Sequence, residues 1–107
     1  MSHTVAPNSL PVLDGSNYAF WKIRMKAYLK SVDVWHIVES GWTNPDKAIA
    51  EFSKDENGAS FANNKVLNVI FTSISIEEFS RISQCVIAKE AWETLEITHE
   101  GTKIVRA

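Results

Sequence analysis

The sequence predicts an all-α protein, a compact bundle of five or six helices. Apolar side chains recur at the 3.6-residue period of an amphipathic helix in the first third of the chain and again near its end, and a central segment is apolar nearly all round. No stretch of useful length alternates apolar and polar residues, as a half-buried strand would. The 107 residues, 45% of them hydrophobic, are expected to form one domain with a sizeable core.

The chain is predicted to begin with a flexible N-terminal arm, residues 1–13, and to continue as a helical domain over residues 14–107. Pro7 and Pro11 disfavour helix in the residues before them. The pair Asp14-Gly15 is a turn signal and marks the boundary. The apolar tip of the arm is placed to dock on the domain that follows.

The first helix begins at about Tyr18 and is the clearest element. Its apolar face repeats at i, i+3, i+7, i+10, i+11 and i+14 and ends at Val32. Basic residues form a second row beside it: Lys22, Arg24, Lys26 and Lys30. Like charges four residues apart mildly oppose an isolated helix, so burial of the aromatic face must stabilise this one.

A short second helix is predicted over Ser31–Gly41, with Asp33 as its N-cap. A weak helical turn or two is predicted after Pro45, because proline favours the first helical position. The pair Asn57-Gly58 is predicted to end that segment.

Three further helices complete the bundle. Residues 60–73 form the most apolar one, which is typical of a helix at the centre of a domain. The segment Ser75–Glu78 is a capping box that opens a short helix ending at Ile82. A last long helix runs from about Cys85 to His99.

The inward positions of these helices define the predicted core. Its members are Tyr18, Trp21, Met25, Leu29, Leu67, Ile70, Phe71, Trp92 and Leu95. Trp35 and Trp42 flank the end of the second helix, where exposed aromatic side chains often anchor protein contacts. We therefore interpret these two residues as candidates for protein contact, with Trp42 the more exposed.

The sequence carries no pattern that is typical of a catalytic or metal site. No Cys or His pair has the spacing of a C-x-x-C or H-x-x-x-H site, and the four glycines are too scattered for a phosphate loop. The single cysteine, Cys85, is interpreted as a half-buried side chain, and its solitude fits a reducing compartment, here the cytoplasm. We expect no enzyme activity, cofactor, small-molecule substrate or membrane span.

Charge is distributed unevenly along the chain. The net charge of −2 argues against a dedicated nucleic-acid-binding domain. Residues 1–30 nevertheless carry four basic residues against one acidic, a balance of +3, and residues 31–107 carry seven against twelve, a balance of −5. The basic row of the first helix is a weak candidate for contact with RNA phosphates, and the favoured interpretation is a solvated outer helix face.

Two blocks of residues together resemble a known family. The first block is Leu13–Leu29 with Asp33–Gly41. The second block is Ala88–Glu96 with Glu100–Lys103 and Val105-Arg106. A middle helix at Lys65–Ile70 lies between them. They resemble the N-terminal Gag region of copia-type LTR retrotransposons of plants, over roughly residues 10–107. That family shows an N-Y-x-x-W-x-x-x-M opening, a W-x-x-V-x-x-G second helix and an A-K-E-A-W-x-x-L closing helix.

This chain departs from the family pattern at a few positions. The family usually places a threonine cap just before its closing helix, where this chain has Ile87. It also tends to carry tryptophan and aspartate before the middle helix, where Phe61 and Asn63 stand here. Residues 43–59 match poorly and are expected to be a variable loop.

The resemblance implies a structural role. It implies a fold similar to a retroviral capsid N-terminal domain, truncated here at its C-terminal end, that self-associates with other Gag copies into a virus-like particle around the RNA of the element. An alternative is a domesticated Gag-derived module that binds other proteins, or an interfering regulator, acting as a monomer or dimer. RNA binding through the basic row is a further hypothesis.

Overall fold

The computed structural model describes residues 10–101, so residues 1–9 of the predicted arm and residues 102–107 of the second family block lie outside the described part. Within that part the chain forms five α-helices and no strand, which confirms the all-α prediction. The helices are α1 (Tyr18–Ser31), α2 (Trp35–Ser40), α3 (Lys54–Thr72), α4 (Ile76–Ile82) and α5 (Ala88–Glu100), with a single 3₁₀ turn at Ile49–Glu51.

The core lies where α5 packs against α2, α3 and α4, and α2 also packs against α1 and α3. Eight of the nine predicted core residues are buried. The ninth, Phe71, is only partly buried, because it lies at the edge of the core and packs edge-to-face on Phe79, with 5.3 Å between the ring centroids. At the centre, the Trp21 and Trp92 rings stack with centroids 5.8 Å apart.

Leu13, which the sequence places in the arm, is fully buried. Its backbone N–H donates to the carbonyl of Ser73 at 2.9 Å, and its carbonyl accepts from the N–H of Ser75 at 2.8 Å. The indole N–H of Trp21 donates to the same Ser73 carbonyl at 2.9 Å. The segment before α1 is thereby held to the turn between α3 and α4.

The second helix is shorter than predicted, because Asp33 ends α1 instead of capping α2. Asp33 adopts a left-handed φ of 63°. Its N–H donates to the Lys30 carbonyl at 3.1 Å, and the N–H of Val34 donates to the Leu29 carbonyl at 3.0 Å. This pair of bonds is the Schellman closure of a helix, so α2 begins only after Val34, which makes no side-chain cap bond.

The prediction that Asn57-Gly58 ends a helix is wrong, because both residues lie inside α3. The helix begins earlier, at a capping box that the prediction overlooked: the Ser53 hydroxyl accepts from the Glu56 N–H at 3.1 Å, and the Glu56 carboxylate accepts from the Ser53 N–H at 2.8 Å. Such a cap contributes about 1 kcal/mol, which offsets the similar cost of glycine inside a helix.

The N-terminus of α5 is capped from another helix. Ile87 occupies the N-cap position and makes no side-chain cap bond. The amide of the fully buried Asn63 on α3 takes that role: its Oδ1 accepts from the Ala88 N–H at 2.7 Å, and its Nδ2 donates to the Val86 carbonyl at 2.8 Å. The departures from the family pattern at positions 63 and 87 therefore meet at one place in the fold.

Candidate functional site

The four basic residues of α1 fall into two pairs with different surroundings. Lys22 bridges to α5, with its Nζ 3.0 Å from Glu96 Oε2 and 2.7 Å from Glu100 Oε2. Burial alone would lower the pKa of Lys22, but the hydrogen bonds to Glu100 and Glu96 outweigh it and raise that pKa. The ammonium of Lys26 lies 5.1 Å from the centroid of the Trp35 ring, a cation–π distance. Lys22 and Lys26 thus direct their charge toward the fold.

The other two basic residues, Arg24 and Lys30, are exposed on α1. The Arg24 guanidinium lies 5.9 Å from the centroid of the Phe20 ring. RNA contact through this row stays a prediction.

Trp35 belongs to the aromatic stack of the core edge. It is half-buried and meets Trp92 edge-to-face, with 5.0 Å between centroids and 78° between ring planes. Its indole N–H is buried and has no hydrogen-bond partner among the described residues. The sequence made Trp35 a candidate for protein contact, and periodicity within α2 carries no information about its position relative to α5.

Trp42 is also half-buried, and it lines a surface cavity of about 460 Å³. The segment after it supplies Pro45, Ile49 and Phe52 to the same cavity, and α3 closes it with polar side chains that include Asn64. Trp42, one of the two predicted contact residues, therefore lies beside open volume.

A surface that the sequence interpretation missed lies on the outer side of α1. Phe20 and Ile23 are 54% and 69% exposed, and the exposed Ala27 follows one turn later. Their spacing of i, i+3 and i+7 is a second apolar row on the same helix. The signal was present in the sequence, but the aromatic row on the opposite side dominated the pattern.

The outer side of α5 is acidic. Glu90, Glu93, Ile97 and Glu100 are exposed and repeat at i, i+3, i+7 and i+10, with Ile97 56% exposed. Glu96 lies outside this row and is turned toward Lys22.

The sequence predicted that Glu78 only caps α4, but its side chain also bonds to other residues. The Ser75 hydroxyl accepts from the Glu78 N–H at 3.3 Å, as a cap does, but the carboxylate itself is buried and turned toward α5. Its Oε1 accepts from His99 Nε2 at 2.9 Å, and its Oε2 lies 2.8 Å from Arg81 Nη1. Burial would raise the pKa of Glu78, but the hydrogen bonds from His99 and Arg81 outweigh it and hold that pKa below its usual value.

The remaining chemistry of the described part is sparse. Among residues 10–101, no group of three or more His, Cys, Asp or Glu side chains is placed to hold a metal ion. Burial, and then the charge of Glu90, raise the pKa of the Cys85 thiol, which disfavours the nucleophilic thiolate. Within the same range, none of the helices combines the length and the hydrophobicity that a membrane-spanning segment needs.

A family model described as the gag-polypeptide of LTR copia-type matches residues 25–107. The matched range begins at Met25 and includes α2 to α5, so Tyr18 and Trp21 of the first block lie before it. No curated protein and no solved structure matches the chain.

Proposed function

We propose that this chain, which belongs to the gag-polypeptide family of LTR copia-type, is a shell-forming domain that self-associates into a virus-like particle around retrotransposon RNA. Membership confirms the resemblance drawn from the sequence and makes the chain a Gag-like structural domain. Self-association, enclosure of RNA, absence of enzyme activity and assembly in the cytoplasm are parts of the proposal.

One observation carries the proposal: the helices close a well-packed core and still leave large apolar side chains on the outside. Phe20, Ile23 and Ile97 are each more than half exposed, although the helices that carry them are anchored by buried rows. Grouped apolar side chains on a surface favour association, because a partner removes them from water. A domain whose role is to meet further copies of itself requires such surfaces.

Sedimentation velocity of the 107-residue chain tests the proposal. We expect the average sedimentation coefficient to rise with protein concentration, to depend on salt, and to return to the monomer value on dilution. Negative-stain electron microscopy of the most concentrated sample, with and without added RNA, is expected to show closed particles or arcs of them. Strictly monomeric behaviour at every concentration and salt, with no particles, would overturn the proposal.

The Trp42 cavity favours a second candidate function, a module that binds a peptide of another protein. A concave site of about 460 Å³ sets Trp42, Ile49 and Phe52 beside polar side chains such as Asn64, and this mixture of apolar surface and hydrogen-bonding groups suits a bound peptide. A chain that stays monomeric, together with a partner whose binding is abolished by Trp42→Ala, would support this alternative over self-assembly.

A further inference from the structure

The outer face of α1 is basic as well as apolar. Phe20, Ile23 and Ala27 form its apolar row, and Arg24 and Lys30 lie beside that row. The whole helix, Tyr18–Ser31, carries four basic residues and no acidic one. Two copies of this face would therefore repel each other, so its partner is expected to be acidic.

The outer face of α5 has the complementary character. Ile97 lies in the same row as three carboxylates, those of Glu90, Glu93 and Glu100. The two helices also match in length: α1 has 14 residues and α5 has 13, which corresponds to about 21 Å and about 20 Å of axis. The α1 face thus offers an apolar row with basic residues beside it, and the α5 face offers one exposed apolar side chain, Ile97, among acidic residues.

We propose that the outer face of α1 in one copy docks on the outer face of α5 in a second copy. The proposal rests on the self-association proposed above and names its surfaces. Phe20 and Ile23 of one copy cover Ile97 of the other, and Arg24 and Lys30 face Glu90 and Glu93, because Glu100 is already paired with Lys22 inside each copy.

The contact is heterologous, since it joins two different surfaces. Repeating it adds copies in one direction, which builds a ring where the rotation closes and a helical filament where it does not. Within each copy, Lys22 holds α1 against α5 through Glu96 and Glu100. The relative position of the two docking faces is therefore set inside the monomer before any partner arrives.

A charge swap tests this pairing directly. One variant carries Arg24→Glu and Lys30→Glu, and the other carries Glu90→Lys and Glu93→Lys. At low salt each variant alone is expected to self-associate roughly tenfold more weakly or worse, because like charges now face each other. An equimolar mixture of the two, and a single chain with all four changes, are expected to recover association close to that of the original protein.

Serine substitutions test the apolar part of the contact. Ile23→Ser and Ile97→Ser are expected to weaken association, whereas Ile76→Ser is the matched control. Ile76 is 87% exposed but lies on α4, outside both faces. Circular dichroism and thermal melting of every variant check that the fold is kept, which we expect because all these side chains face solvent.

The outcomes separate this inference from the proposed function. If the original chain self-associates but the mixture of charge variants does not recover, the α1–α5 pairing is overturned while self-association stands. If only the α1 variant weakens association, α1 meets a surface other than α5, which also overturns the pairing. A chain that never associates refutes the proposed function, and this inference falls with it.

Discussion

The carboxylate of Glu78 and the imidazole of His99 lie 2.9 Å apart and join α4 to α5 beneath the Tyr18 ring. The His99 ring stacks on Tyr18 with 4.8 Å between centroids and 10° between planes. Arg81 supplies a second partner to the same carboxylate. The buried carboxylate of Glu78 therefore links α4 to α5, and α5 contacts α1 through the same histidine. The stability of this contact depends on whether Glu78 is ionised.

We expect stability to fall as pH drops below the ordinary glutamate pKa of 4.5, because folding lowers the pKa of Glu78. A lowered pKa contributes stability that is present above the unfolded pKa and is lost as pH falls through the folded pKa. Glu78→Gln should cost about 1–3 kcal/mol at pH 7 and flatten this part of the pH profile. Urea unfolding at pH 7 and at pH 3 measures both effects. Glu77→Gln, at an exposed neighbouring position, is the control, and an equal loss in both variants would contradict the assignment.

Asn63→Ala is expected to destabilise the domain by about 2–3 kcal/mol. The change leaves the Ala88 N–H and the Val86 carbonyl without their partner in a buried setting. Adding Ile87→Thr to that variant should restore part of the loss, since threonine at the N-cap accepts from the first turn of α5. Thermal melting ranks the variants. The exposed Asn64→Ala on the same helix should change little, and a comparable drop there would argue against the interhelical cap.

Two glycine substitutions should change stability in opposite directions. Gly58→Ala is expected to stabilise the chain by about 0.5–1 kcal/mol, because Gly58 lies within α3 and nothing within 4 Å meets an added Cβ. Gly41→Ala should destabilise it by about 1–3 kcal/mol, because Gly41 has φ 79° and ψ 170°, a region nearly reserved for glycine. Urea midpoints compare the two: a loss of stability in Gly58→Ala would contradict the assigned start of α3, and a gain in Gly41→Ala would contradict the left-handed backbone at that residue.

Charge reversal should affect Lys22 and Lys30 differently. Lys22→Glu places a third carboxylate beside Glu96 and Glu100, so we expect the free energy of unfolding to fall by about 1 kcal/mol or more.

Lys30→Glu should leave the melting temperature within a few degrees of the original and reduce RNA retention if the basic row contacts phosphates. Filter binding at two salt concentrations measures retention. Unchanged binding in Lys30→Glu would reject RNA contact at that residue.

Much of the fold could be predicted from periodicity, because buried rows on long helices repeat at a fixed interval. The bounds of α1 and the inward rows of α1 and α5 follow from that interval alone. Helix ends were harder to predict from short-range signals, because two such signals can compete at one position. Asp33 satisfies the rules for an N-cap, yet its left-handed backbone closes α1. Gly58 satisfies the rules for a helix end, yet the Ser53 cap has already started α3.

The candidate site was less predictable, because it depends on which helices become neighbours. Nothing in the local sequence places Glu96 beside Lys22, or Trp35 against Trp92. The exposed row that starts at Phe20 could have been predicted, because its spacing is visible in the sequence. Its exposure became clear only when the aromatic row on the other side of α1 was seen to fill the core.

The Ser73 carbonyl accepts hydrogen bonds from both Leu13 and Trp21, and these bonds join residues at least fifty positions apart. Neither donor can reach this native acceptor until the chain has been synthesised just beyond the end of α3. The first helix is therefore expected to remain without its central partner until Ser73 has been synthesised, and the domain to close only after that point. A nascent chain that stopped before Ser73 would expose the Trp21 ring, which makes such intermediates natural substrates for chaperones.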